Sequence, residues 1–549
     1  MNKDTYPRPL MRRDNIIMLD GIWELEGGDI NVPYPPQAPL SGYGGEIKDT
    51  MKYVLRFTLE PPSEGMRVLM HFGAVDQVAK VTLNGSWLGS HEGGYMGFSF
   101  DVTEKLTGGL NVLEVEATDS LSHFYPYGKQ TQKPSGMWYT PVSGIWQSVW
   151  LEAVPAKHMN SISFTGDPAS GKVAWEASAN CDGTYEICVY ASDTPVVRFV
   201  SDEDAGSFTI PPEHIRPWSP DDPFLYRVRV TFCGQDAVRS YFALRSIGIK
   251  SIGGVPRVCL NGEPVFLHGV LDQGYFPEGI FVPSDMSAYE EDITRLREMG
   301  FNTIRKHIKV EPEAFYYACD RLGMLVIQDM VNSGEYSFWR DSFLPTLGFT
   351  SRNDRTEEPD ERMEFFVKHM QETAFRLYGH PCIIAYTIFN EGWGQFNSDS
   401  CYDTLKNLDP TRLIDSASGW FAQSRTDFDS LHVYFRTKKL SPSPERPMLL
   451  SECGGFTLDM GKKRKGLSWG YGRSRSSEKL TEKIEAMYEK MVIPAIASGL
   501  CGSIYTQLSD VENEINDLFT YDRSCCKVIP ERMAAISQKL YSTLKKSVK

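Results

Sequence analysis

Between His380 and Gln395 the chain reads HPCIIAYTIFNEGWGQ. The opening His380-Pro381 breaks any helix arriving from the N-terminal side. The residues that follow are apolar at odd and even positions alike, so a strand here has no wet face. A strand buried on both sides belongs in a parallel sheet covered by helices. It stops abruptly at Asn390-Glu391 and glycine follows. That puts a carboxylate at the C-terminal end of the strand, where barrel enzymes carry their chemistry. The stretch PMLLSECGG, from Pro447 to Gly455, has the same design and ends in Glu452. The two glutamates are 61 residues apart in sequence, so only the fold can bring them together. Two carboxylates on one rim are what cleavage of a glycosidic bond requires.

The region around these strands has a matching rhythm. From Gly248 on, strand patterns alternate with amphipathic helices, the signature of a parallel α/β sheet. Eight strands are expected, at residues 265–270, 302–306, 325–329, 383–390, 412–416, 430–434, 448–452 and 502–506. Helices fit between most of them, for example 284–299, with Ser284 as N-cap and Gly300 just past the end, and 312–322. Eight such repeats over about 300 residues make a (β/α)8 TIM barrel. Glu391 then closes strand four and Glu452 strand seven. Residues 331–360 form a long insertion with little expected structure, placed on the catalytic face as a rim loop or lid.

The chain before Gly248 lacks helical periodicity. Residues 1–154 carry alternating or β-branched runs such as Tyr53–Phe57, Val78–Leu83 and Val112–Ala117, with a hairpin signal at Asn84-Gly85. This reads as an N-terminal jelly-roll β-sandwich. Residues 155–247 have the length and strand spacing of an immunoglobulin-like β-sandwich. Residues 248–549 are the barrel, so the fold class is multidomain. Trp87, His91 and Tyr95 are of types that touch a sugar or, more often, pack a hairpin.

Composition limits the partners. A net charge of −14 argues against nucleic acid or an anionic membrane surface. No apolar run is long enough to span a bilayer. The N-terminus has no apolar signal segment, and the eleven scattered cysteines show no metal spacing. Free thiols, a cytoplasmic location and no metal or other cofactor are therefore expected. A homo-oligomer remains open.

Asn390-Glu391 after the His380-Pro381 strand resembles the acid/base motif of glycoside hydrolase family 2, and Ser451-Glu452 resembles that family's nucleophile strand. The likeness extends over nearly the whole chain. The segment VDQVAKVTLNGSWLGSHEGGYMGFSFDVT is similar to the family's sugar-binding domain. The resemblance implies a retaining, exo-acting β-glycoside hydrolase with Glu391 as acid/base and Glu452 as nucleophile. The acid must hold its proton near neutrality while the nucleophile stays ionised. Asn390 then binds the sugar 2-hydroxyl. Arg305 and His307 match the strand-two motif, Arg305 as a clamp on the nucleophile or as a structural ion pair. The usual motif continues His-Tyr-Pro, whereas this chain has His307-Ile308-Lys309. Tyr434 is matched to a tyrosine that bonds the nucleophile. Trp393, two residues after the acid, is a candidate to stack on a sugar face or a packing residue. Asp272, Gln273 and Asp329 fall where relatives contact the non-reducing sugar. Within the family a β-galactosidase-like activity is expected, with β-glucuronidase as the alternative. Glucuronidases carry Asn-x-Lys before a Phe-Thr-x-Asp-Arg segment. Here Phe519–Arg523 is present but the preceding positions read Glu514-Ile515-Asn516. The missing lysine argues against uronic acids. A carbohydrate-binding protein without catalysis is the rival from another class. The run Lys462-Lys463-Arg464-Lys465, with Arg473 and Arg475 beyond it, is a solvated loop or a means of steering an anionic substrate.

Overall fold

The structure is a computed structural model and describes residues 6–350, 354, 359–434, 437–461 and 469–548. The basic run 462–465 lies outside the described residues.

The N-terminal region folds into two facing antiparallel sheets. Thr50–Leu59 pairs along its full length with Gly109–Thr118, which pairs on its other side with Val78–Leu83. The alternation in Gly109–Thr118 decides which face goes inward: Leu113, Val115 and Ala117 are buried, while the residues between them are partly solvated. The second sheet holds Ile16–Met18, Val149–Pro155, Met66–Phe72 and Phe98–Asp101. Trp23, Tyr53, Met70, Phe72 and Val81 fill the space between them. Asn84 and Gly85 both take positive φ, which a two-residue hairpin needs. A second, smaller sandwich follows. Its three-stranded sheet (Met159–Gly166, Lys172–Ala179, Ala205–Thr209) packs on a four-stranded one containing Tyr185–Ala191, Tyr226–Phe232 and Asp236–Phe242.

The rest of the chain is a parallel barrel of eight strands. They are β1 (Leu267–Asp272), β2 (Thr303–Lys306), β3 (Leu325–Asp329), β4 (Ile383–Asn390), β5 (Leu413–Ser418), β6 (Asp429–Tyr434), β7 (Met448–Gly454) and β8 (Leu500–Thr506). Backbone ladders run in the order β5-β4-β3-β2-β1-β8-β7-β6. At the seam between β5 and β6, side chains close the ring: Ser430 donates to Asp415 at 2.6 Å and Ser418 meets His432 Nε2 at 2.8 Å. Every residue of β4 is buried, as its unbroken apolar run requires.

Two local expectations need correction. The first barrel helix is Ser287–Glu298, and Met286, not Ser284, stands at its N-cap. Asp285 takes over the capping, accepting from the Ser287 N–H at 2.8 Å. The insertion after β3 has structure of its own, a π-helical turn at Phe338–Phe343 running into Leu344–Thr346.

Polar anchors join the three parts. Arg13 binds both Glu152 and Asp236, tying one sandwich to the other. Tyr241 of the second sandwich donates to Asp320 at 2.7 Å, and Asp320 also binds His380, the residue that opens the β4 stretch. Cys382 N–H reaches the other Asp320 oxygen at 2.8 Å. No helix among the described residues is long and apolar enough to cross a membrane, and the eleven cysteines are free thiols.

Candidate active site

Glu391 follows β4 directly and Glu452 lies in β7, so both carboxylates emerge on the same rim. Glu391 has φ +55°, a left-handed turn that swings its side chain across the barrel mouth. Its backbone N–H is held by the Ser418 carbonyl at 3.0 Å. One oxygen each from Glu391 and Glu452, with a ring nitrogen of His432, lie within 4.8 Å of one another. His432 stands between the two acids. Its Nδ1 is 2.8 Å from Glu391 Oε1 and its Nε2 is 3.5 Å from Glu452 Oε1. Tyr434, two residues on and therefore on the same face of β6, donates to Glu452 Oε2 at 2.7 Å and approaches Glu391 Oε1 at 3.3 Å.

Arg305 is the hub beneath them and is fully buried. Its Nε donates to Asp329 Oδ1 at 2.9 Å and its Nη1 to Glu452 Oε1 at 3.1 Å, while its Nη2 donates to Asn390 Oδ1 at 2.9 Å. A buried guanidinium needs this many acceptors, and the fork distributes them in a plane. The effect on Glu452 is large. Burial alone would favour the neutral acid, but His432 and Arg305 overcome it and hold the carboxyl at about 2. Glu452 is thus a fixed carboxylate.

His307 hands Nδ1 to Asp329 at 2.6 Å. Burial and the positive charge of Lys129 push its imidazole well below the usual range, so the ring is neutral. Asp329 accepts from Nδ1–H, and His307 Nε2 is left buried without a partner.

The site residues expected from sequence divide into two groups. Glu391, Glu452, Asn390, Arg305, His307 and Tyr434 converge on one cluster. Trp393, Asp272 and Asp329 are each engaged by neighbouring protein groups. Trp393 is 2% exposed; its indole N–H holds the Gly334 carbonyl at 2.9 Å and its ring packs edge-on against Trp138 and Tyr336. Asp329, 1% exposed, is spent on Arg305 and His307. Asp272 is bound by Lys306 and by the Gly274 N–H, in a buried network with Glu311 and Lys309. Gln273 pairs with Gln507 at 2.7 Å. In the first sandwich Tyr95 is buried and His91 stacks on Phe98 at 4.4 Å, whereas Trp87 is exposed.

Four contributors were not read from the sequence. His432 had a signal, since i and i+2 on one strand share a face with Tyr434. Ser342, from the insertion after β3, donates to Glu391 Oε2 at 3.2 Å. Tyr471 packs on Tyr434 at 4.9 Å. The fourth is a loop of the first sandwich, residues 122–143, which crosses to the barrel. Tyr127 and Gly128 N–H groups both bind the Asn332 carbonyl, at 3.0 and 3.2 Å. Tyr139 donates to Glu514, and the Thr140 N–H to Glu512 at 2.8 Å.

Glu391, His432 and Glu452 have the donor types that hold a metal ion. Their atoms are already engaged with one another, and Arg305 and Tyr434 occupy the two Glu452 oxygens. The positive charge a cation would bring is present as the guanidinium.

Residues 256–463 match the TIM barrel domain of glycosyl hydrolases family 2, and residues 46–144 match the galactose-binding domain-like part of glycosyl hydrolase 2. This chain belongs to glycoside hydrolase family 2. It is 27% identical over 360 residues to a β-galactosidase of Thermoanaerobacter pseudethanolicus, covering 61% of this chain and 44% of that one. The family 2 chain described here therefore spans less than half the length of that relative. Among solved structures, a β-D-glucuronidase from Dictyoglomus thermophilum superposes with a TM-score of 0.78 at 16% identity, covering 97% of this chain and 99% of that chain. A Ruminococcus gnavus β-glucuronidase in complex with uronic isofagomine gives 0.76 at 18% identity, covering 97% and 99%. At these identities the likeness is one of fold.

Proposed function

We propose that the chain hydrolyses terminal β-glycosides with retention of configuration, Glu452 acting as nucleophile and Glu391 as acid/base. The observation that carries this is the pair of carboxylates with oxygens within 4.8 Å, one of them held ionised. Retaining enzymes keep their carboxyl groups about 5–5.5 Å apart, whereas inverting enzymes need about 6.5–9.5 Å to admit a water. In the first step Glu452 attacks the anomeric carbon as Glu391 gives its proton to the leaving oxygen. In the second, Glu391 takes a proton from water, which displaces Glu452 from the sugar. Asn390 has its Oδ1 committed to Arg305, so its amide N–H groups are left for a sugar hydroxyl. Tyr434 and Arg305 fix the two Glu452 oxygens and select which lone pair attacks. The sandwich loop closes one side of the mouth, which suits removal of a single terminal sugar.

For the sugar itself, β-galactosides are supported by the name of the Thermoanaerobacter relative and by the absence of a lysine at Glu514-Ile515-Asn516. A β-glucuronide reading is favoured by one observation, a half-buried lysine of the sandwich loop, Lys129, whose charge acts on Glu452, His307 and Glu514. Chromogenic aryl glycosides test the reaction. Glu391→Ala should be revived by azide on an activated aryl β-glycoside, giving the β-glycosyl azide. An α-azide, or no rescue, would remove Glu391 from the acid/base role.

A further inference from the structure

Lys129 sits in the middle of the loop that crosses from the first sandwich. The backbone on each side of it is fixed. Gly128 lies so close to β2's following turn that a Cβ there would come within 2.9 Å of the Ile308 carbonyl. Gln130 is buried; its side chain donates to the Tyr127 carbonyl at 2.9 Å and accepts from the Val142 N–H at 2.6 Å. The Lys129 carbonyl accepts from the Tyr139 N–H at 2.9 Å. This rigid seat delivers a half-buried side chain beside His307, which directly precedes Ile308.

Among the described residues, the Lys129 ammonium group makes no hydrogen bond and no ion pair, which is unusual for a cation this close to carboxylates. Its charge is felt by Glu452, His307 and Glu514. Each nearby acid already has its own donors. Glu452 is held by Arg305 and Tyr434. Glu514 is held by Tyr139 and by Asn516 at 3.2 Å, and burial pushes its carboxyl up, towards the neutral form. Two further polar atoms in the same neighbourhood are buried without partners, His307 Nε2 and Asn516 Oδ1. Buried polar atoms normally have a partner, so both of these are open to a group that enters the site.

From this seating we infer that Lys129 is a specificity-determining residue, and that it reads an anionic group, a carboxylate or a sulfate, on the terminal sugar. The inference rests on the retaining-glycosidase reading and deepens it. It answers the sequence argument against acidic sugars with a cation from a different domain in place of the one missing after β8. An ammonium with no competing acceptor gives a charged hydrogen bond to the anion, and a neutral sugar offers only a hydroxyl.

The experiment compares kcat/KM for 4-nitrophenyl β-D-glucuronide, β-D-galacturonide, 6-sulfo-β-D-galactoside and β-D-galactoside, at low and high salt. Wild type, Lys129→Met, Lys129→Gln and Lys129→Arg are measured. One of the anionic glycosides should exceed the neutral galactoside at both salts. In Lys129→Met and Lys129→Gln that ratio should fall by about 10- to 100-fold, mainly through KM, and Lys129→Arg should retain most of it. Preference for a uronide identifies a carboxylate, and preference for the sulfated sugar identifies a sulfate. A ratio unmoved by both neutral variants overturns the inference. So does an anion preference that collapses with salt and ignores Lys129, because it assigns the effect to the basic run 462–465. A wild type that cleaves none of the four, or a Glu452→Gln variant as active as wild type, would instead sink the glycosidase reading.

Discussion

His432 shares one imidazole between the two glutamates, and Arg305 shares one guanidinium among Glu452, Asn390 and Asp329. These two groups set the charge state of the site. Arg305→Lys keeps the charge but cannot reach all three of these partners, so kcat should fall by about 100-fold or more, as measured on any cleaved aryl glycoside. Tyr434→Phe removes one of two fixed contacts to Glu452 and should lower kcat more than it raises KM. Glu452 also links pH to stability. Its folded-state value is depressed from about 4.5 to about 2, so the stability it contributes is present above pH 4.5 and is lost as pH falls towards 2. Thermal unfolding of wild type and Glu452→Gln from pH 5 to pH 3 should therefore show wild type losing ground progressively; parallel curves would contradict the electrostatic account. At this scale the sequence was readable where a polar residue ended an apolar strand, as at Glu391 and Glu452. For Asp329, Asp272 and Trp393 it did not show the protein groups that hold them. Strand-end position does not tell whether a side chain meets ligand or a neighbouring cation, and only the lateral partners Arg305, Lys306 and Trp138 decide it.

The crossing loop and the π-helical turn after β3 pack beside the two glutamates, and neither is part of the barrel's repeating pattern. Gly128 is the point where the loop touches the barrel. It has φ +66°, and a Cβ would meet the Ile308 carbonyl at 2.9 Å and the Tyr95 hydroxyl at 3.2 Å. Gly128→Val should therefore lift the loop and lower kcat/KM by about tenfold or more for every glycoside cleaved, with a fall in melting temperature of only a few degrees, about 1–2 kcal/mol. Circular dichroism and kinetics on the same preparation would check it. The eight barrel strands were legible because short strand runs alternate with amphipathic helices from Gly248 on. The loop was not, because residues 122–143 have no periodicity and their partners Asn332, Glu512 and Glu514 lie hundreds of positions away. The insertion after β3 was expected to have little structure for the same reason, yet Tyr336 packs against Trp138 and Trp393, and Ser342 reaches Glu391.

Across the whole molecule, the first sandwich belongs to the active site as well as to the scaffold. Deleting residues 1–154 removes Lys129 and Tyr139 and uncovers the surface around Trp393 and Asn332. The remaining chain should be inactive and prone to aggregate even though both glutamates are intact; a soluble, fully active fragment would contradict this. The change of periodicity near Gly248 marks off the barrel from the β-rich part before it. The joining contacts, Arg13 with Asp236 or Tyr241 with Asp320, were invisible because each is a single polar pair across long sequence separations. All of this depends on Glu452 forming a bond to sugar. The most direct test is to incubate the protein with 2,4-dinitrophenyl 2-deoxy-2-fluoro-β-glycosides of the galacto and glucurono series, then map the modified peptide by mass spectrometry. The account predicts one stoichiometric adduct, on the peptide containing Ser451-Glu452, together with loss of activity. An adduct on another carboxylate, or rapid turnover of a cleavable substrate with no adduct from either series, would contradict it.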